Sequence, residues 1–336
     1  MMKSILIVGA GGFIGGFIVK EALSRGYATW AGIRQSTSKK YLDDERTNFV
    51  YFDYGDKRQI ARSLLDNVPE SGRWDYIIWN LGATKCANFQ DFNLINYQYV
   101  KNFVEVLTEC DLLPERFLYM SSLSALGPYD EKDYSPATSR SVPAPNTRYG
   151  LSKIKTETFL EMQPGLNWII FRPTGVYGPH EQDYLMMIKS IDSHFDFGVG
   201  YRKQMLTFIY VEDLVCAMFD ALKAGVMKKK YIISEPRAYT QKEFRKIVAD
   251  TLGTRMVVPV KLPLWAAYIA SYVAEKWGAI RLKPSTLNRD KFKIMKQRNW
   301  NCDVSDAERD FGFTVKFPLE RGIRITVDEY LKNKKK

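Results

Sequence analysis

Histidine and cysteine are the scarce residues of this 336-residue chain. His180 and His194 stand in no metal-binding spacing, and Cys86, Cys110, Cys216 and Cys302 are far apart with no CxxC pair. A metal centre and a disulfide framework are therefore not expected, and the thiols fit a reducing compartment. There is no internal repeat and no low-complexity tract, so solenoids and disordered scaffolds drop out. The longest apolar run, residues 262–274, contains Pro263 and is too short to span a bilayer. Acids are outnumbered: the net charge is +11, part of it in Lys228, Lys229 and Lys230 and in the tail from Lys332 to Lys336. Those runs read most simply as a solvated turn and a frayed terminus. They also suit attraction to an anionic cofactor, substrate or membrane surface. No basic, aromatic-interleaved motif is present, so no nucleic-acid partner is expected. The first strand pattern begins at Ser4, which leaves no room for a signal peptide, and a cytoplasmic protein is expected.

What the chain has in quantity is hydrophobic sequence arranged as alternating strands and helices. Residues 4–8 form an apolar, β-branched run suited to a strand buried on both faces. Gly9, Gly12 and Gly15 follow, with Phe13 and Ile14 opening an amphipathic stretch to about Arg25. One glycine permits a tight turn, a second lets backbone approach a pyrophosphate, and a third lets helix pack on strand. The helix N-terminus would then present free N–H groups to phosphate. A second strand, residues 27–33, ends in Arg34-Gln35-Ser36-Thr37, where an NAD-binding fold usually places an acid for the ribose hydroxyls. A guanidinium there suits a 2′-phosphate, so NADP(H) is favoured over NAD(H). A third strand, residues 48–52, ends at Asp53, which could receive the adenine amino group or cap the next helix. The capping role suits Asp56 better. A fourth strand, residues 76–79, runs into Asn80-Leu81-Gly82-Ala83, whose small residues would let a nucleotide lie close to the sheet.

The chemistry concentrates downstream. Ser121, Ser122 and Ser124 precede Tyr149 and Lys153, which lie four apart near the start of a helix and so share a face. A free tyrosine titrates at about 10, and a nearby ammonium would favour the phenolate and lower that value. Tyr149 could then give a proton to a ketone oxygen or take one from an alcohol.

These landmarks, with Met120-Ser121-Ser122, Gly127, Arg172-Pro173, Val176-Tyr177-Gly178-Pro179 and Val211-Glu212-Asp213, resemble the extended short-chain dehydrogenase/reductase superfamily, also labelled NAD-dependent epimerase/dehydratase. The resemblance covers nearly the whole chain. It implies an α/β fold: a doubly wound parallel Rossmann sheet of about seven strands, with a smaller C-terminal substrate-binding lid. It makes Ser122 the hydroxyl that holds the reacting oxygen, Tyr149 the proton donor, and Lys153 the residue that supports the phenolate and reaches the nicotinamide ribose. The dinucleotide would be bound by Gly9, Gly12, Phe13, Ile14, Gly15, Arg34, Asp53, Tyr54, Asn80, Gly82, Ala83, Asn96, Lys153 and Pro173. Ser124, Thr174, Tyr177 and Arg202 would face the substrate, while Ser121, Arg172 and Asp213 would be structural. The resemblance also implies a homodimer through the helix near residues 93–110 and the Tyr149 helix, whose outer faces include Tyr97, Val100, Phe103, Phe159 and Met162.

Two positions depart from the sugar-nucleotide branch: Thr174 replaces an asparagine and Leu206 an arginine, both diphosphate contacts, and Arg202 or Lys203 would have to compensate. With Arg34, this points to an NADP(H)-dependent reductase of a small-molecule ketone or aldehyde, of the dihydroflavonol-reductase or hydroxysteroid-dehydrogenase type. The alternatives are a sugar-nucleotide epimerase or dehydratase with tightly bound NAD and, more remotely, a non-catalytic dinucleotide sensor. Residues 1–173 and 204–233 are assigned to the dinucleotide domain, and 174–203 and 234–336 to the substrate subdomain. Within the latter, Trp265, Tyr268, Ile269, Tyr272, Val273 and Trp277 recur at helical spacing. They read as core first, and otherwise as an apolar pocket wall or a peripheral membrane contact.

Overall fold

The computed structural model describes residues 2–86, 89–281, 285 and 287–334. The sheet half comprises β1 (Ser4–Val8), α1 (Phe13–Ser24), β2 (Ala28–Ile33), β3 (Thr47–Tyr51), α2 (Lys57–Asn67) and β4 (Tyr76–Trp79). After α3 (Phe89–Asn93) comes a π-helical turn, Leu94–Gln98, which runs into α4 (Tyr99–Glu109), β5 (Arg116–Met120), α5 (Arg148–Glu161) and β6 (Trp168–Pro173). The chain then forms β7 (Gly175–Tyr177), α6 (Gln182–Asp192), β8 (Phe195–Val199), β9 (Met205–Leu206), β10 (Phe208–Tyr210), α7 (Val211–Ala224) and β11 (Lys229–Ile233). It closes with β12 (Tyr239–Thr240), α8 (Gln241–Leu252), β13 (Val258–Leu262), α9 (Leu264–Ile280), α10 (Arg289–Lys296), α11 (Ser305–Phe311) and α12 (Leu319–Lys334).

Seven strands form one parallel sheet in the order β11-β6-β5-β4-β1-β2-β3. The apolar runs explain it. Along β1, Ile5 and Ile7 face one hydrophobic cluster and Leu6 and Val8 the other, so both faces are covered by helices. The strand order reverses between β1 and β4, and a ligand crevice opens beyond the carboxyl ends of strands at such a point.

The later elements pair in short two-stranded ribbons, β7 with β10, β9 with β12 and β8 with β13. Helix α8 is opened by a capping box between Thr240 and Glu243. Not all of 234–336 stays with these ribbons. Asp310 in α11 binds Lys229 Nζ at 2.7 Å and the Tyr231 hydroxyl at 2.8 Å, which returns the chain to the sheet edge at β11. Asp213 accepts from the amides of Lys316 and Phe317 at 3.0 and 2.9 Å, so it anchors the C-terminal segment; the N-cap of α7 is Tyr210.

Two packing expectations need correction. The stripe on α9 does not point into a core: Trp265 is 69% exposed and Trp277 58% exposed, and Tyr268, Ile269, Tyr272 and Val273 are also exposed. Helical period alone could not assign direction, because the inward positions Ala267, Ser271, Ala274 and Gly278 hold only small residues. The apolar face expected to drive dimerisation is also largely spent inside the chain. Val100 and Phe103 are fully buried in the core under β4, and Phe159 meets Tyr97 edge-on at 6.1 Å, leaving Met162 exposed.

Helix α5 is clamped to the sheet by a fully buried ion pair. Arg172 Nη2 lies 2.5 Å from Glu157 Oε2, and Ser121 donates to the same carboxylate. Replacing Glu157 by Leu strands a guanidinium out of water and should cost about 3–5 kcal/mol in urea unfolding. The double change Glu157→Leu with Arg172→Met should recover most of that loss. A single variant within about 0.5 kcal/mol of wild type would contradict the clamp.

Candidate active site

The glycine loop between β1 and α1 forms the floor at the switch point. Gly9 has φ +84°, and a Cβ there would lie 2.6 Å from the Leu81 amide nitrogen. A Cβ on Gly15 would meet the Gly9 carbonyl at 2.3 Å, so that glycine lets helix sit on strand. Gly12 is different. A Cβ there would meet nothing closer than 3.6 Å, and its bareness leaves room above the loop. Gly12 is also the N-cap of α1 and offers no side-chain cap, so the first helical amides, from Phe13 to Gly15, point outward. The loop therefore fits a pyrophosphate by shape and by donors.

The turn after β2 touches this loop directly, since a Cβ on Gly11 would collide with the Thr37 methyl at 2.2 Å. Thr37 holds the turn by accepting from the Arg34 amide at 3.2 Å and donating its own amide to the Arg34 carbonyl at 2.9 Å. The Arg34 side chain is exposed and makes no ion pair among the described residues. Lys39 is occupied elsewhere, over the ring of Phe49 at 4.0 Å. Asp53 accepts from the Gly55 amide at 3.0 Å and is exposed, whereas Asp56 caps α2 through the amides of Arg58 and Gln59. Tyr54, by contrast, is buried with Phe52 and Trp79 around it and its hydroxyl unpartnered. It fills the core below the crevice and does not line it.

Beyond β4, Asn80 sits over the Gly9 carbonyl, and Gly82 leaves space that a Cβ would close to 3.1 Å from Lys153 Nζ and 3.2 Å from Asn96 Oδ1. Asn96 is fully buried in the π turn. It accepts from the Ala83 amide at 2.7 Å, donates back to the Ala83 carbonyl at 3.0 Å, and donates to Ser152 at 2.9 Å. Its carbonyl takes the Thr156 hydroxyl at 2.6 Å, tying the turn to α5. Asn96 thus holds the 80–83 loop against α5, a positioning task that sequence spacing did not disclose. A π turn in a helix facing a crevice is a frequent companion of a working site.

The carboxyl end of β5 and the start of α5 supply the remaining groups. Ser122 caps the short helical turn Leu123–Ala125 by accepting from the Ser124 amide at 3.1 Å, and its hydroxyl favours the ionised form of the Tyr149 phenol. A side chain at Gly150 would strike the Ser124 carbonyl at 2.2 Å, so a glycine there lets the Ser loop and α5 touch. Burial pushes the Tyr149 phenol up to about 12, with the Ser122 hydroxyl easing it only in part. The expected lowering by Lys153 is therefore not what the protein alone produces. Burial also pulls the Lys153 ammonium down to about 7, against the raising effect of Glu157. Lys153 Nζ donates to the Met120 carbonyl at 2.6 Å and lies 5.9 Å from the Tyr149 ring centre. Each of the two groups favours its neutral form.

The lid contributes groups that no local pattern announced. Asp290 on α10 accepts from the amides of Arg148 and Tyr149 at 2.8 and 3.4 Å, steadying the start of α5. Lys85, after β4, meets Asp183 of α6 at 2.5 Å, and Lys291 of α10 meets the same carboxylate at 3.0 Å. Phe92 packs against the Tyr149 ring with centres 6.3 Å apart. Of the expected substrate contacts, Thr174 bonds Ser234 at 3.2 Å, and Arg202 is exposed with Nη2 3.4 Å from the Glu131 carbonyl. Tyr177 sits in an aromatic core with Tyr184, Phe208 and Tyr210, 1% exposed, and away from any open surface. Pro173 is buried at the end of β6.

Residues 5–234 match the NAD-dependent epimerase/dehydratase family. The chain belongs to that family. Among its relatives, the family member is similar to the ceramide reductase of Caulobacter vibrioides, 23% identical over 97% of this chain and 94% of the relative. It is also similar to the decarboxylating sterol-4-alpha-carboxylate 3-dehydrogenase of Dictyostelium discoideum, 22% identical over 96% and 99%. Its fold matches that of the dTDP-glucose 4,6-dehydratase DesIV of Streptomyces venezuelae, solved with NAD bound, at TM-score 0.78 and 20% identity over 99% and 98% of the two chains.

A buried Lys153 has a consequence for stability. Its folded value lies below the unfolded one, so below about pH 7 the native state must hold a charge that burial disfavours. Stability from this group rises with pH from there toward about 10.5, where the unfolded lysine also becomes neutral. Lys153→Met should therefore melt above wild type, and the gap should narrow between about pH 6 and about pH 9. A gap constant with pH would refute the depressed value.

Proposed function

We propose that this protein is an NADP(H)-dependent reductase of a ketone or aldehyde that is not a nucleotide sugar. The observation that carries the reading is the convergence of Ser122, Tyr149 and Lys153 beside the glycine loop at the switch point, with the exposed guanidinium of Arg34 on the turn packed against that loop. Gly9 to Gly15 would hold the pyrophosphate, Arg34 the 2′-phosphate, Asp53 the adenine side, and Asn80 to Ala83 with Lys153 the nicotinamide end. When bound, the reduced nicotinamide supplies the hydride.

The chain's own residues do the rest. The Ser122 hydroxyl donates to the carbonyl oxygen and fixes its place. Tyr149 gives that oxygen its phenolic proton as negative charge develops. A phenol held protonated by burial is an acid ready to donate at neutral pH, and regeneration needs a cation close by. Lys153 provides it on protonation, and its value of about 7 lets it exchange protons with the Tyr149 side at working pH. Phe92 packs against the phenol ring, and the Lys85–Asp183–Lys291 bridge ties the segment after β4 to α6 and α10. The reductase and sterol dehydrogenase relatives agree with a substrate of this class.

The second reading, a sugar-nucleotide dehydratase or epimerase recycling bound NAD, is favoured by the DesIV likeness. Against it stand Thr174, engaged with Ser234, and Leu206, an apolar residue in a two-residue strand, at the places where that branch contacts a diphosphate.

Tyr149→Phe keeps the ring against Phe92 and removes the acid. Turnover should fall by about two to four orders of magnitude with little change in cofactor affinity. Lys153→Ala should damage both, and Ser122→Ala should cost less than either. Near-normal turnover by the Tyr149→Phe enzyme would place the acid elsewhere.

A further inference from the structure

Helix α9 is built inside out. Its inward positions carry Ala267, Ser271, Ala274 and Gly278, while Trp265, Tyr268, Ile269, Tyr272, Val273 and Trp277 face outward. A helix that needed only to pack on the domain would bury its large side chains. An exposed apolar face of this size marks an interaction surface. The composition of the face narrows the partner. Its aromatics are two tryptophans and two tyrosines, the residues that settle at the boundary between headgroups and acyl chains.

The charge around it agrees. Residues 255–296 carry nine lysines and arginines and only two acids, Glu275 and Asp290, a net +7 that accounts for most of the chain's +11. Both acids face inward duties: Glu275 pairs with Arg289 at 2.9 Å, and Asp290 caps α5. Cations sit among the rings, with Lys276 Nζ 5.8 Å from the Tyr272 ring centre and the Arg281 guanidinium 4.9 Å from that of Trp277. This is how basic side chains lie when their stems follow an apolar surface and their heads seek anionic groups. No helix among the described residues is long and apolar enough to cross a membrane, so contact would be with the surface only.

We propose that α9 is a peripheral membrane anchor that lies in the headgroup region of an anionic bilayer. Through Glu275–Arg289 and Asp290 the anchor is joined to the first turn of α5. Binding can be measured without substrate or cofactor, so it stands apart from the reductase reading.

The test is co-flotation of the full chain with vesicles of phosphatidylcholine plus phosphatidylglycerol, and with phosphatidylcholine alone. Wild type should float with the mixed vesicles, and its tryptophan emission should shift to the blue as Trp265 and Trp277 leave water. Trp265→Ser with Trp277→Ser should lower partitioning at least about tenfold and abolish the shift. Lys276→Gln with Arg281→Gln should remove about tenfold of the preference for anionic vesicles. Should the double tryptophan variant fail to fold, Ile269→Ser alone should still weaken flotation. Wild-type protein that floats with neither vesicle overturns the proposal. Light scattering that shows self-association broken by the tryptophan changes would then reassign the face to a second copy.

Discussion

The buried pair between Arg172 and Glu157 sets the register on which the rest of the site depends. Arg172 lies one residue before the end of β6, Glu157 lies one turn beyond Lys153 on α5, and Ser121, which shares the carboxylate, immediately precedes Ser122. One ion pair thus fixes the end of β5, the end of β6 and the rotation of α5 together. A buried pair gains little net stability over apolar packing, but its geometry admits few alternatives. Ser122, Tyr149 and Lys153 meet because that geometry is met.

Burial then does electrostatic work in two directions. It raises the phenol and lowers the ammonium, so each group is pushed toward its neutral form. The site is poised for net positive charge on Lys153 only when something nearby rewards it. Asn96 and Gly82 keep the 80–83 loop close enough to maintain this burial, and Asp290 carries the constraint out to the lid. The Lys85–Asp183–Lys291 bridge ties the segment after β4 to α6 and α10.

The sheet and the glycine loop were legible because their signals are local: a buried strand, a turn and a helix start lie within a dozen residues. Tyr149 and Lys153 were legible for the same reason, one turn apart on one helix. Asp290 and Asp183 were not, because each works on groups roughly a hundred residues or more away and neither belongs to a pattern. Asn96 was placed at the cofactor by resemblance, yet its hydrogen bonds are spent on the loop and on α5. Tyr54 and Tyr177 were placed beside ligands, yet both lie in aromatic cores. The α9 stripe was misdirected, since a period of 3.6 marks a face without saying which way it points.

The proposed reaction consumes a reduced, phosphorylated dinucleotide to reduce a carbonyl. The most direct measurement is cofactor oxidation by the purified protein across a panel of apolar ketones and aldehydes, with NADPH and NADH run in parallel. The expected result is net, carbonyl-dependent loss of NADPH, with NADH the weaker donor. Protein that instead carries NAD through purification, and converts a nucleotide sugar with no net consumption of either reduced cofactor, would contradict it.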